Sequence, residues 1–357
     1  PITGIGVVAP GAIGVEAFRA LLASGQPAVA EIDRFDTTGL TAHRAALVRD
    51  FRPKEFIAPM KMRRMNGLSR LAVAAAKLAI DDCGGALDPE TGVAIGTAFG
   101  PVQTSVDYLK EYVEKGAALA PPQLFAESVA NAPGSHIAIE HGLRGFNITI
   151  TQRESSALAA AMYAATQIVK GTVRTALIGG VEEANEMLFS VLDRIGALSD
   201  EARPFDPQRN GFVLGEGGAV LVAHGGTRAP YGWLAGFGIA RDTTASISDW
   251  GEDPAPVVAA MQAAMDDAEV DSVDAIYVSA NGSIRGDALE QRAIEMLFGE
   301  RKPRLVTTKH IFGEYAAGGA LQLAAAILAT EEHRNILVNS LSAGGGIVCA
   351  VVSREGV

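Results

Sequence analysis

Along the chain, short runs of β-branched and apolar residues alternate with longer Ala-rich stretches whose apolar positions recur at helical spacing. That alternation predicts strands and helices layered as α/β. Strands are expected over residues 2–8, 93–96, 147–151 and 175–180, and helices over 15–23, 65–82, 104–115 and 155–170. A tight strand-to-helix turn fills 152–154, and the glycines within 211–223 read as a hairpin. Near residue 230 the order begins again, with strands at 233–239, 275–278, 336–338 and 347–352 and helices at 254–267, 289–298 and 318–333. Self-similarity between the halves is too weak to establish a repeat. No Pro- or Gly-rich linker intervenes, so two halves, 1–228 and 229–357, are expected to pack as one unit.

Composition narrows the classes. At 357 residues, 48% of them hydrophobic, the chain has enough apolar side chain for a large core. Forty-one acidic residues against 30 basic ones give a formal charge of -11, which argues against a nucleic-acid partner, since phosphate binding needs a dense positive surface. No apolar run reaches the about 20 residues of a membrane span, and no charged-then-apolar leader opens the chain. Pro1 already lies within the expected first strand, which suggests a trimmed N-terminus. Cys83 and Cys349 are the only cysteines, too few for a disulfide framework and without metal-ligand spacing. Both are expected to be buried fillers in a protein of the reducing cytoplasm.

The candidate chemistry lies in longer motifs. Residues 203–222 read RPFDPQRNGFVLGEGGAVLV, and in chain order ITGIGVVAPGAIG, RFDTTGL, RRMNGLSRLAVAAAKLAIDDCG, GLRGFNITIT and TKHIFGEYAAGGAL accompany them. Together these segments resemble the β-ketoacyl-acyl-carrier-protein synthases over nearly the whole chain. The resemblance implies the thiolase fold, two βαβαβαββ halves in a five-layered α/β/α/β/α arrangement. In active members of that family a Cys stands at the N-terminus of a buried helix, where backbone N–H groups and the helix dipole stabilise thiolate and oxyanion. Two His residues hold the carbonyl and assist decarboxylation of the malonyl group.

At all three of those positions this chain departs from the family. Ungapped matching of 145–183 puts the nucleophile position on Glu154, and a carboxylate cannot hold a transferable acyl thioester. SANG at 279–282 puts Asn281 in place of the first His, and TKHIFGE at 308–314 puts Glu314 in place of the second. Using His310 instead would need a register slip that Thr308, Lys309 and Gly313 oppose. Lys309 matches a Lys that supports the catalytic His in active members, and is expected to pair here with Glu314 or Glu154. NSLSAGGG at 339–346 lacks the Phe of the family's gating loop.

The resemblance therefore implies a non-catalytic subunit of the chain-length-factor type, partnered by an active ketosynthase and shaping the tunnel for polyketide or polyene chain elongation on acyl carrier protein. No cofactor or metal is expected. Residues Asn147, Ile148, Thr149, Ile150 and Thr151 are expected to form the central intermolecular strand, and Tyr108, Tyr112, Phe125 and Val129 to bound the acyl tunnel. Arg63 and Arg64 are expected to meet the carrier protein. Glu154 also has a plain structural reading, because a carboxylate at a helix N-terminus gains about 0.3–1 kcal/mol from the dipole alone. Two other readings stay open: a stand-alone hydrolase or decarboxylase using Glu154 and Glu314, or an inactive homodimer that binds acyl chains.

Overall fold

One succession of strands and helices occurs twice in the structure, a computed structural model that describes residues 1–226 and 231–356. In chain order the strands are β1 (Ile2–Ala9), β2 (Ala12–Ile13), β3 (Ala30–Glu31), β4 (Arg44–Ala45), β5 (Gly92–Gly96), β6 (Asn147–Ile150), β7 (Thr175–Glu182) and β8 (Gly217–His224). They continue with β9 (Trp233–Arg241), β10 (Ala275–Tyr277), β11 (Arg304–Val306), β12 (Asn335–Leu341) and β13 (Gly346–Ser353). One sheet runs β2-β1-β8-β7-β5-β6 and the other β11-β10-β12-β13-β9. In each, the first long strand is antiparallel to the last, the last is antiparallel to the one before it, and the remaining pairs are parallel, apart from the short β2, which is antiparallel to β1. The repeat too weak to read in the sequence is thus explicit in the topology. The expected boundary at 228/229 lies outside the described residues.

Helices Ser156–Val169 and Ala316–Leu328 lie between the two sheets, each touching strands of both. Gly67–Asp82 and Ala132–His141 cover the outer face of the first sheet, and Ala255–Asp267 with Ile284–Phe298 that of the second. These are the five layers that the fold class requires. Alanine makes the central layer possible: Ala157, Ala160, Ala161, Ala164, Ala324 and Ala326 are fully buried, so helix and sheet backbones approach closely. At Gly96, the last residue of β5, an added Cβ would meet the Ser156 carbonyl carbon at 2.4 Å. No side chain larger than hydrogen fits between that strand end and the start of the helix.

Several local expectations are corrected. The stretch 211–223 is not a hairpin: Phe212 and Gly215 make isolated parallel bridges to Leu198 and Ala46, and only β8 is a strand. Here the glycines serve close backbone approach, since a Cβ on Gly215 would sit 2.4 Å from the Phe312 carbonyl oxygen. Helices Pro122–Glu127, Ala132–His141 and Glu186–Arg194 were not apparent in the pattern. Cys349 is buried as expected, whereas Cys83 caps the helix Gly67–Asp82 and is half-buried. No described helix is long and apolar enough to cross a membrane.

Candidate functional site

Each central helix is entered through a glutamate: Glu154 precedes Ser156–Val169, and Glu314 stands at the same spacing before Ala316–Leu328. The first entrance leaves β6 through Gln152 and a single 3-10 turn, Arg153–Ser155, in which Arg153 adopts a left-handed φ of 48°. Serines hold this turn. The Gln152 N–H donates to Ser156 Oγ at 2.8 Å, and Ser156 Oγ donates to the Arg153 carbonyl at 2.6 Å. Ser155 Oγ donates to the Ser340 carbonyl at 2.9 Å, Ser340 Oγ to the Glu154 carbonyl at 3.1 Å, and Ser342 Oγ accepts from the Ser155 N–H at 3.0 Å. The turn at 154 is thereby tied to the end of β12 in the other half.

Only 1% of Glu154 is exposed. Its Oε2 accepts from the Ala343 N–H at 3.2 Å, and its own backbone N–H also bonds the carboxylate. Burial, and after it the Glu314 carboxylate, pushes the Glu154 pKa up to about 7. Two converging N–H groups are what an anion needs at such a place, and here the side chain itself supplies the anion.

The second entrance is a closed polar cluster. Glu314 Oε2 accepts from Lys309 Nζ at 2.6 Å and from Asn281 Nδ2 at 2.7 Å, while Oε1 accepts from the Tyr315 N–H at 2.8 Å. Asn281 Oδ1 in turn accepts from the Ser283 N–H at 2.9 Å. Asn281, Lys309 and Glu314 are all buried. Three donors converge on the Glu314 carboxylate, and the cluster of Asn281, Lys309 and Glu314 contains neither imidazole nor thiol.

The structure thus brings Glu154, Asn281, Lys309 and Glu314 together, and Lys309 pairs with Glu314, one of its two expected partners. His310 does not join them. It lies at the other side of its short helix, half-buried, with Nδ1 unpartnered and its pKa lowered by burial. Ala343 stands in the loop between β12 and β13, which lines a cleft of about 570 Å³ together with Gln152, Arg153 and Arg241.

The remaining predicted residues lie elsewhere. Tyr108 is half-buried and packs 6.2 Å from Tyr112 and 5.5 Å from Phe125, ring centre to ring centre. Tyr112, Phe125 and Val129 are exposed, as are Leu109 and Val113 on the same helix, Val102–Lys115. They therefore line no cavity internal to this chain. The strand β6 ends the six-stranded sheet with one edge unpaired among the described residues. Arg63 and Arg64 are exposed just before the helix Gly67–Asp82.

Tyr315 did not stand out in the sequence. It is buried, with φ 90° and ψ -161°, a region nearly reserved for Gly and costing about 1–3 kcal/mol for another residue. Its ring makes edge contacts with Phe99 at 4.8 Å and Phe212 at 5.4 Å. Burial and the charges of Glu154 and Glu314 hold its hydroxyl pKa well above the usual range. Glu182 and Glu290 were missed as well. Both are fully buried and bond the segments that follow matching strands, Glu182 from the end of β7 bonding Thr97 and Ala98 after β5, and Glu290 from the helix Ile284–Phe298 bonding Ser279 and Ala280 after β10.

Residues 1–225 match the family described as Beta-ketoacyl synthase, N-terminal domain, and residues 231–340 match Beta-ketoacyl synthase, C-terminal domain. The chain is 30% identical over 351 residues to the 3-oxoacyl-[acyl-carrier-protein] synthase 2 of Vibrio harveyi, covering 92% of this chain and 84% of that protein. It is also 30% identical, over 358 residues, to the tetracenomycin polyketide synthase ketoacyl synthase beta subunit of Streptomyces glaucescens, covering 93% of this chain and 85% of the relative. Among solved structures, the ishigamide ketosynthase/chain length factor superposes with a TM-score of 0.91 at 26% identity, over 99% of this chain and 98% of the matched one.

Proposed function

The chain belongs to the β-ketoacyl synthase family, and on that premise we propose that it is the non-condensing subunit of a ketosynthase pair, acting on acyl chains borne by acyl carrier protein. The observation that carries this reading is the replacement at the head of the buried helix. Where an acyl group would be held stands Glu154, buried and bonded by the Ala343 N–H. Neither Asn281 nor Glu314 restores an imidazole, and Lys309 is committed to Glu314.

Pairing is supported by two adjoining features. Among the described residues one edge of β6 is unpaired, and the helix Val102–Lys115 exposes Leu109, Tyr112 and Val113, apolar surface that a partner could cover. In this arrangement the partner's Cys carries the acyl group, and Tyr112, Phe125 and Val129 supply the wall that limits how far the chain extends. Arg63 and Arg64 provide positive charge on an otherwise acidic molecule, suited to an acidic carrier protein.

A second reading, an acid-base enzyme built on Glu154 and Glu314, draws on the raised proton affinity of Glu154. Against it, both carboxylates are buried and Glu314 is held by three donors.

Reconstitution separates the two. With a ketosynthase partner, malonyl-carrier protein and a primed acyl-carrier protein, the pair is expected to extend chains, and the Glu154→Ala pair to retain the rate within a few-fold. The chain alone, or its Glu154→Cys variant alone, is expected to produce none. Loss of several orders of magnitude in the assembled Glu154→Ala pair, or extension by the lone chain, would overturn the proposal.

A further inference from the structure

The aromatic group beside Glu154 has a consequence for where an acyl chain can run. Phe99 lies three residues beyond the end of β5, and Thr97, two residues before it, accepts through its carbonyl from Ser156 Oγ at 3.3 Å, at the start of the helix that Glu154 introduces. Phe212 lies on the segment that bridges at Leu214 to Glu314. Between these two rings sits Tyr315, and around them Leu188, Leu192, Leu198 and Leu214 close a buried apolar cluster. The Glu154 carboxylate is near enough to raise the pKa of the Tyr315 hydroxyl, so a group carried at position 154 and directed towards that hydroxyl would run against this cluster.

We propose that Tyr315 is a plug: its ring, clamped between Phe99 and Phe212, fills the space beside Glu154 into which an acyl chain carried at that position would extend. The inference rests on the reading of this chain as the non-condensing subunit and deepens it, because the chamber as well as the nucleophile is then lost. The backbone supports an imposed position for the ring. Tyr315 holds a φ and ψ that Gly would adopt freely, and it is kept there by the Glu314 carboxylate on its N–H and by edge contacts on its ring. A consequence is that an elongating chain is confined to the partner's side and the shared interface.

Tyr315→Gly removes the ring while suiting the backbone, and should leave a cavity walled by Phe99, Phe212 and leucines of the kind that takes up apolar molecules. The test titrates the full chain with indole by calorimetry, and then displaces it with benzene, both of a size that a ring-shaped void takes up. Wild type and Tyr315→Phe, which keep the ring, are expected to share the same weak background from the exposed apolar surface. Tyr315→Gly should gain one saturable, benzene-displaceable site at least about ten-fold tighter. Phe99→Ala opens the same space from the other wall, so it replaces Tyr315→Gly should that variant fail to fold. Equal binding by wild type and the opened variant, with circular dichroism unchanged, would overturn the plug. Because this measurement involves neither partner nor condensation, its failure would leave the pairing proposal standing, and failure of reconstitution would leave the plug standing.

Discussion

Lys309 Nζ lies 2.6 Å from Glu314 Oε2, and the two side chains are 2% and 1% exposed. Removing one partner from such a pair leaves a buried charge without compensation, which costs about 3–5 kcal/mol. Glu314→Gln is expected to fall in that range. Lys309→Met combined with Glu314→Gln should recover part of the loss, since no buried charge remains, while the single amide oxygen keeps only one of the two donors, Asn281 Nδ2 or the Tyr315 N–H. Urea unfolding of the two single variants and the double variant checks this, and a double variant less stable than either single would contradict it.

Burial and the Glu314 carboxylate raise Glu154 from an ordinary 4.5 to about 7. The folded state therefore binds this proton more tightly than the unfolded state does. Its stabilising contribution is complete below the unfolded value and is lost as pH rises through the folded one. Glu182, raised to about 8, and Glu290, raised to about 7, act in the same direction and for the same first cause, burial. Glu154→Gln copies the protonated shape, so it is expected to match wild type at acid pH and to exceed it by about 2–3 kcal/mol at alkaline pH. Unfolding midpoints on both sides of neutrality measure it. A difference independent of pH would show that Glu154 does not titrate with folding.

How much of this was legible in the sequence differs by element. The departures at Glu154, Asn281 and Glu314 were readable because long flanking motifs fix their register. The strand leading to position 154 and the Ala-rich helix after it were readable because their periodicity is strong. The stretch 211–223 misled because glycines that admit a neighbouring backbone have the same composition as glycines that turn a hairpin. Helix Glu186–Arg194 was missed although it buries Leu188, Phe189 and Leu192, since Met187, Val191 and Ile195 on its exposed face obscure the polar side. Tyr315 carried no signal of its own. Its significance comes from Phe99 and Phe212, far away in sequence, and from a backbone angle that residue type would not suggest.

Tyr112 and Phe125 are exposed in the isolated chain, with Tyr108 packed against both. As part of a tunnel floor they become close-packed only against the partner, and an extending acyl chain would then have to displace them at about 1–3 kcal/mol. Tyr112→Ala and Phe125→Ala, each assembled with the native partner, are therefore expected to shift products towards longer chains with the first condensation nearly unchanged. Mass spectrometry of carrier-bound products decides. Unchanged lengths in both variants, with the pair intact, would remove these rings from any role as a ruler.

The pairing strand admits a sharper test, because the hydrogen-bond alternation of β6 says which of its N–H groups are free. β5 and β6 run parallel, with Val93 opposite Asn147 and Ile95 opposite Thr149. The Val93 N–H donates to the Phe146 carbonyl and the Thr97 N–H to the Ile150 carbonyl, so the ladder engages the even-numbered residues of β6. The N–H groups of Ile148 and Ile150 therefore turn inward to β5, and those of Asn147, Thr149 and Thr151 turn to the open edge. Proline lacks the N–H and suits an edge strand whose donor faces outward. Thr149→Pro should thus leave the fold intact and remove a donor only from a strand added by the partner. Ile148→Pro should break the ladder with β5 and destabilise the chain itself. The expected result is a Thr149→Pro chain with nearly native thermal unfolding that no longer co-purifies with the ketosynthase, beside an Ile148→Pro chain with a clearly lowered melting temperature. Retention of the partner by a folded Thr149→Pro chain would show that the association does not run through β6.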